Sequence, residues 1–219
     1  MLVGVLSDVH ANRVALDAVL DDMPAVDALV NAGDVVGYNP WPAECVATVR
    51  ERGMETIMGN HDRMVVGTGN FRGNGMAAAG VEHARERLTP EQRDWLASLP
   101  DERLLFDERV KVVHGHPDDR DRYTRPHEFG PDLLGDEDVL VMGHTHIQHH
   151  KRYESGVVLN PGSVGQPRDD DPQAAYALLD LDDLSVDERR VAYDVERVVD
   201  AVAVAGLPKR TGARLREGY

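Results

Sequence analysis

The sequence predicts one α/β domain (α+β by some schemes) folded as a four-layer αββα sandwich of two mixed sheets. Three observations predict it. Apolar runs of strand length alternate with amphipathic stretches through the first half. Short strands separated by turns fill the second half. The 219 residues suffice for one sizeable core. A βα-rich half followed by a β-rich half calls for two sheets face to face with helices outside.

The elements follow in order. Leu2 to Leu6 reads as a buried strand, and Val14 to Leu20 as a helix with apolar residues three and four apart. Ala28 to Val30 is a second strand, Ala43 to Arg50 a second helix, and Thr56 to Met58 a third strand. Strands alternating with helices imply parallel pairing through right-handed crossovers. Arg63 to Pro100 is an insertion of mostly helical character, with Thr89-Pro90-Glu91 as a helix start. Strands are then expected at Arg103 to Phe106, Val110 to Val113, Val139 to Met142, Lys151 to Glu154, Val157 to Leu159, Tyr176 to Leu181 and Val186 to Tyr193. Glu154-Ser155-Gly156 marks a hairpin, and Asp194 to Val204 a closing helix. The domain is assigned to residues 1–206. Residues 207–219, with Pro208, Gly212 and Gly218, read as a loose tail.

Composition narrows the function classes. The net charge is −15, and nearly all the positive charge is arginine, the lysines being Lys111, Lys151 and Lys209. Such a surface repels a phosphate backbone, which argues against wrapping long nucleic acid. Adaptation to a salt-rich cytoplasm explains an acidic, lysine-poor, aromatic-poor chain; an ordinary acidic enzyme from a GC-rich genome is the alternative. The single cysteine, Cys45, sits among Val46 and Val49 on an expected helical core face. It reads as a buried structural thiol in a reducing compartment. The apolar run at the start is too short for a signal peptide, and no segment approaches a membrane span, so a cytoplasmic protein is expected.

Five polar clusters each follow an apolar run. They are Asp8-Val9-His10, Gly33-Asp34-Val35-Val36-Gly37, Gly59-Asn60-His61-Asp62, His114-Gly115-His116 and Gly143-His144-Thr145-His146. In open α/β sheets, ligands sit beyond the carboxyl ends of the strands, where loops converge. The donors are carboxylate, amide oxygen and imidazole, which suit hard or borderline divalent cations. No thiolate is among them, which disfavours structural zinc or an iron–sulfur cluster. Side chains repeat every two residues along a strand, so Asp8 and His10 are expected on one side, as are His144 and His146.

This ordered set resembles the calcineurin-like metallophosphoesterase family, in particular its small single-domain bacterial and archaeal phosphodiesterases. The resemblance covers residues 2 to 181. It implies the four-layer fold, with a dinuclear metal site at the carboxyl ends of the strands. Asp8, His10, Asp34 and His146 would bind one metal. Asp34, Asn60, His114 and His144 would bind the other, with Asp34 bridging. Manganese is the metal the resemblance implies first, with iron, nickel, cobalt or zinc as alternatives. His61 matches the family's proton-donating histidine. Ala11 stands where the family commonly has glycine, and Asn39 where close relatives often carry glycine; neither change removes a ligand.

The implied chemistry is hydrolysis of a small phosphoester. Two adjacent cations lower the pKa of a shared water and clamp the attacking and leaving oxygens. Asn60 would stabilise charge on the phosphoryl oxygens, and His61 would protonate the departing alkoxide. Asp62 either orients His61 or is an exposed carboxylate. Asn160-Pro161-Gly162-Ser163 matches a family loop beside the metals, and Arg168 beyond it is a candidate for substrate phosphate. His116 lines the pocket or faces solvent. His149 and His150 read as a polar strand start, and Asp169-Asp170-Asp171 as a solvated turn. Tyr38 and Trp41 either stack on a base or pack a loop. A phosphodiesterase is the leading reading. Dinucleoside polyphosphate hydrolase and protein or nucleotide phosphomonoesterase are the alternatives. A binding scaffold that has lost catalysis is opposed by the full ligand set with His61. The motifs do not encode an oligomeric state.

Overall fold

The computed structural model describes residues 1–67 and 75–219. The part of the expected helical insertion at 68–74 lies outside the described residues. The chain begins with β1 (Leu2–Leu6), α1 (Arg13–Asp22), β2 (Ala28–Asn31), α2 (Pro42–Glu51) and β3 (Glu55–Thr56). The insertion contributes α3 (Asn60–Val66), α4 (Gly75–Arg87) and α5 (Pro90–Ala97). Thr89 caps α5, its hydroxyl accepting from the Gln92 amide while Gln92 returns a bond to the Thr89 amide. That reciprocal box, with proline at the first helical position, explains why the helix starts there. The second half supplies β4 (Glu102–Leu105), β5 (Val110–Val113), β6 (Val139–Val141), β7 (His149–Tyr153), β8 (Gly156–Asn160), β9 (Ala174–Asp180) and β10 (Ser185–Val191). It ends with α6 (Val195–Val204) and α7 (Lys209–Ala213).

Two five-stranded sheets result. One has the order β10-β9-β1-β2-β3 and the other β4-β5-β6-β8-β7. Both are mixed: β1, β2 and β3 run parallel with β9 antiparallel to β1, while β5, β6 and β8 run parallel between antiparallel edges β4 and β7. The period of two sorts side chains between layers. Val3, Val5, Val112, Val139, Val141, Leu159 and Leu179 meet between the sheets. Alternate positions Leu6, Tyr176 and Leu178 face α1 and α2, and Val113, Leu140 and Val158 face the other side. Burial on both faces explains why the parallel strands read as continuous apolar runs. The fourth layer is thin. Phe129, Leu133 and Leu134, around two short 3-10 turns, cover that outer face.

The segment 207–219 departs from the expected loose tail. Leu207 and Leu215 are buried against Val14, Val198 and Val202, and Thr211 is fully enclosed. Val198 and Val202 of α6, with Val14 of α1, form the apolar surface that Leu207 and Leu215 cover. Among the described residues no helix is long and apolar enough to cross a membrane.

Candidate metal centre

All five polar clusters converge at the carboxyl ends of β1, β2, β3, β5 and β6, the end that parallel strands present together. The convergence does not arise from strand alternation, as the sequence suggested. β1 stops at Leu6 and β6 at Val141, and the ligands lie in the turns beyond. Asp8, His10, Asp34, His144 and His146 all adopt left-handed backbone, with φ between 47° and 66°. Non-glycine residues rarely adopt that region, and such strain gathers at functional sites. The turns take it up because neighbouring amides are tied down: Asp8 N donates to Gly33 O at 3.0 Å, and His10 N to Asp34 O at 2.9 Å. Gly59 is required by close approach. A Cβ there would stand 2.1 Å from Asp34 Oδ1.

One group comprises Asp8, His10 and His146, all buried. His10 Nδ1 bonds Val36 O at 3.2 Å, and His146 Nδ1 bonds Gln166 O at 2.6 Å. A ring that donates through Nδ1 presents a bare lone pair at Nε2. The two Nε2 atoms nevertheless face each other at 3.0 Å, and Asp8 Oδ1 lies 3.0 Å from that of His146. Asp8 Oδ2 is already engaged by the Ser7 hydroxyl at 2.6 Å and the His144 amide at 3.0 Å, while Oδ1 is buried with no hydrogen-bond partner. Three converging lone pairs repel one another unless a cation lies among them. The donors fit a metal.

A second group lies alongside. His114 Nδ1 bonds Ala32 O at 2.7 Å, and its Nε2 meets Asn60 Oδ1 at 3.0 Å. His144 Nε2 bonds Asp121 O at 3.3 Å, and its ring centre lies 4.9 Å from that of His114. Asp34 stands between the groups. Its Oδ1 accepts from the His61 amide at 2.8 Å, and its Oδ2 is 3.6 Å from His10 Nε2 and 3.5 Å from His114 Nε2.

Electrostatics follow the same division. Burial opposes ionisation of Asp8, but His146 and His10 outweigh it and hold the carboxyl well below its usual range. Asp34 is likewise held low against burial by His114 and His61. Burial works to lower the His114 pKa, yet the adjoining Asp34 carboxylate pushes it up to about 10. His146 is lowered to about 3 by burial and the nearby Arg168 charge, and His144 is lowered by burial and His114.

His61 packs against Tyr38 and His10, with ring centres 4.6 and 4.8 Å away. Its Nδ1 is buried without a hydrogen-bond partner. It also lies within ligand range of His10 and Asp34. Its backbone amide also donates to Asp34 Oδ1 at 2.8 Å, and its ring packs edge-on against His10. Asp62 does not orient His61, which corrects that expectation. Its carboxylate accepts from the amides of Gly59 at 3.1 Å, Val35 at 3.3 Å and Val36 at 3.1 Å. It therefore braces the two loops that carry Asp34 and Asn60. Burial and the Asp34 charge push its pKa up to about 6.

The Asn160–Ser163 loop lies where expected, with Asn160 Nδ2 donating to Gly143 O at 2.7 Å and Ser163 Oγ to Asp8 O at 2.8 Å. Arg168 reaches the Tyr38 hydroxyl at 3.3 Å. Tyr38 and Trp41 are packing residues, Trp41 against the Val14–Leu215 cluster. Cys45 is fully buried in α2. His116 is buried, its Nδ1 accepting from the Asp118 amide at 3.1 Å. His150 pairs with Glu188 at 2.7 Å, and Asp169 pairs with Arg190, so neither belongs to the centre. Sequence reasoning missed Tyr123, whose ring stacks on His144 at 4.0 Å while remaining 47% exposed. A lone tyrosine in a charged loop carries no signal of that role. A separate cavity at the opposite end of the sheet, between Met23, Leu29, Arg52 and Phe106, contains no histidine.

Known proteins place this geometry. The model of the calcineurin-like phosphoesterase superfamily domain matches residues 1–184. The uncharacterized protein MJ0912 of Methanocaldococcus jannaschii is 30% identical over 239 residues, spanning 98% of this chain and 97% of its own. Phosphodiesterase YfcE of Escherichia coli K12 is also 30% identical, over 90% of this chain and 95% of its own. Among solved structures, a metallophosphoesterase from Sphaerobacter thermophilus is similar with a TM-score of 0.88 at 33% identity, covering 100% of this chain and 99% of that one.

Proposed function

The chain belongs to the calcineurin-like phosphoesterase superfamily, and from that membership we propose a phosphodiesterase that hydrolyses small phosphoesters with two divalent cations. One observation carries the dinuclear reading: Asp34 Oδ2 lies 3.6 Å from His10 Nε2 and 3.5 Å from His114 Nε2, between two ligand groups. Asp8, His10, Asp34 and His146 would hold one cation, and Asp34, Asn60, His114 and His144 the other. The family resemblance implies manganese first, with iron, nickel, cobalt or zinc as alternatives, and oxygen and imidazole donors without thiolate suit divalent cations of this kind. A single buried cysteine supports a cytoplasmic location. The −15 charge supports, in turn, a cell of high internal salt.

Bound there, two divalent cations supply an activated water and neutralise charge on phosphoryl oxygens. The remaining work belongs to the chain. Nδ1 bonds to backbone carbonyls fix the rings of His10, His114 and His146 so that Nε2 faces the centre. Asp62 keeps the Asp34 and Asn60 loops in register through three amides. His61 is the proposed proton donor to the departing alkoxide. Burial pushes its pKa down to about 3, below the usual imidazole range. Arg168 is the proposed contact to a phosphate oxygen.

A panel of chromogenic monoester, diester and dinucleotide substrates with added manganese tests the reading. The diester should turn over fastest, and chelation should abolish that turnover. A monoester preference, or turnover indifferent to chelator, would sink it.

A further inference from the structure

Tyr38 stands between two groups that the proposed reaction uses. Its ring centre lies 4.6 Å from that of His61, and the guanidinium carbon of Arg168 lies 5.8 Å from the same ring centre. Its hydroxyl accepts from Arg168 Nη2 at 3.3 Å, and Gln166 Oε1 accepts from that nitrogen at 2.9 Å. Two acceptors on one nitrogen fix the plane of the guanidinium. Among the described residues Nη1 takes no hydrogen bond, so that edge is free to take a ligand. The Arg168 amide donates to His146 O at 3.2 Å, and Gln166 O accepts from His146 Nδ1 at 2.6 Å. The arginine is thereby held in place relative to a proposed metal ligand.

The backbone holds Tyr38 in this position from both sides. Tyr38 itself has φ 54°, in the left-handed region that non-glycine residues rarely adopt. On one side α4 presses on it: a Cβ at Gly80 would stand 2.2 Å from the Tyr38 amide nitrogen. On the other, Gly37 has φ +102°, and a Cβ there would stand 2.4 Å from His61 Nδ1. Asn39 closes the segment, its Nδ2 donating to His10 O at 3.0 Å and to Gly165 O at 3.3 Å. Space-filling alone would not call for a hydroxyl set against an arginine. Arg168 differs, too, from Arg190 close by, which pairs with Asp169. Among the described residues Arg168 forms no ion pair with an acidic side chain, in a chain of net charge −15.

We propose that Tyr38 is a positioning residue of the reaction. Its ring sets the His61 imidazole and its hydroxyl sets the Arg168 guanidinium, so that proton donor and phosphate contact address one phosphoester together. His61 gives its proton to the departing alkoxide while Arg168 holds a non-bridging oxygen of the same phosphoryl group. The assignment rests on the phosphodiesterase reading and deepens it. Small misplacements of either group are costly in rate, which is what a shared support prevents.

Two diesters with manganese test this: bis(p-nitrophenyl) phosphate, whose leaving group departs without a proton, and thymidylyl-(3′→5′)-thymidine, whose alkoxide needs one. Tyr38→Phe deletes the hydroxyl alone. It should raise KM for both by about 3–10-fold, the worth of one hydrogen bond, with kcat and metal content unchanged. Inhibition by inorganic phosphate should weaken in step. In an Arg168→Gln background the same change should add nothing, because the two side chains act as one unit. Tyr38→Leu also removes the ring, and should lower kcat about 10–100-fold on the dinucleotide and far less on the nitrophenyl ester. Tyr153→Phe, which deletes the hydroxyl bonded to Phe129 O on the outer face of the other sheet, should change neither constant. An unchanged KM in Tyr38→Phe, additive effects of Tyr38→Phe and Arg168→Gln, or equal loss on both esters in Tyr38→Leu overturns the positioning role and leaves the phosphodiesterase reading standing. Calorimetric titration of inorganic phosphate into manganese-loaded protein reads the hydroxyl without turnover. Weaker phosphate binding in Tyr38→Phe, with neither diester hydrolysed by the unaltered protein, overturns the phosphodiesterase reading alone.

Discussion

The two halves of the proposed metal centre are built to different standards of enclosure. Asp8, His10 and His146 are sealed in, and both imidazoles are anchored through Nδ1 to backbone carbonyls. On the other side, His144 rests its Nε2 on a carbonyl of the polar loop at Asp121 and is stacked by half-exposed Tyr123. Asn60 completes that side together with His114, which is itself buried and anchored through Nδ1 to Ala32 O, so the difference in enclosure lies at His144. We propose that the contrast divides the labour, the enclosed position serving as the anchor and the side of His144 and Tyr123 as the place substrate oxygens reach. Asp34 serves both.

The largest expected effect erases the contrast. Asp34→Ala removes the shared carboxylate, so calorimetric titration and elemental analysis should show both positions weakened and turnover lower by more than about 10³. Full retention of one cation per chain would mean the halves are independent.

The next variant separates chemistry from either half. His61 follows Asn60 in the sequence but packs on His10, the anchor side. His61→Ala should leave metal content intact and lower turnover by roughly 10²–10⁴, far more on alkyl or nucleoside esters than on nitrophenyl esters. His144→Ala should damage both ester classes and reduce metal occupancy. Equal loss on both classes in His61→Ala, with metal content unchanged, would make His61 a phosphate-positioning residue.

Asp62 ties the Asp34 loop to the Asn60 loop mechanically. Asp62→Asn turns an acceptor of three amides into a group with its own N–H donors facing them. Metal affinity should fall about 10–100-fold at both positions, as for other supporting groups behind metal ligands. Loss confined to one position would show that the Asp34 and Asn60 loops hold their places separately.

The smallest effect lies at the surface, a reference for the interior. If the acidity is halophilic, the thermal midpoint should keep rising in potassium chloride beyond moderate ionic strength, where screening already acts within about 8–10 Å. Metal content should not follow it. A midpoint that plateaus near physiological salt would favour the ordinary acidic enzyme.

Much of the architecture was legible because burial on both faces leaves uninterrupted apolar runs such as Val139–Val141 and Val157–Leu159. The converging polar clusters were legible because each follows such a run. The reason they converge was not, since left-handed backbone at Asp8 or His146 leaves no mark in composition. Asp62 was misread because its acceptors' partners are backbone amides, which no residue type announces. The segment at 207–219 was misread because its order comes from apolar packing on α6 and Val14, a tertiary cause that overrides a short proline- and glycine-bearing stretch.

The pairing of β1 with β9 has a temporal side. A chain made from its N-terminus has produced every proposed metal ligand by His146, yet the strand carrying Asp8 lacks its antiparallel neighbour until residues 174–180 follow. Until then one edge of β1 is open, and before residues 163–165 are made the turn at Asp8 lacks the Ser163 hydroxyl and the Gly165 amide on its carbonyl. Growing chains therefore hold a full ligand set on an unfinished sheet, and a metal captured at that stage would meet a floppy half-site. The order of synthesis therefore leaves the turn at Asp8 to be completed by residues made after the last of the proposed ligands.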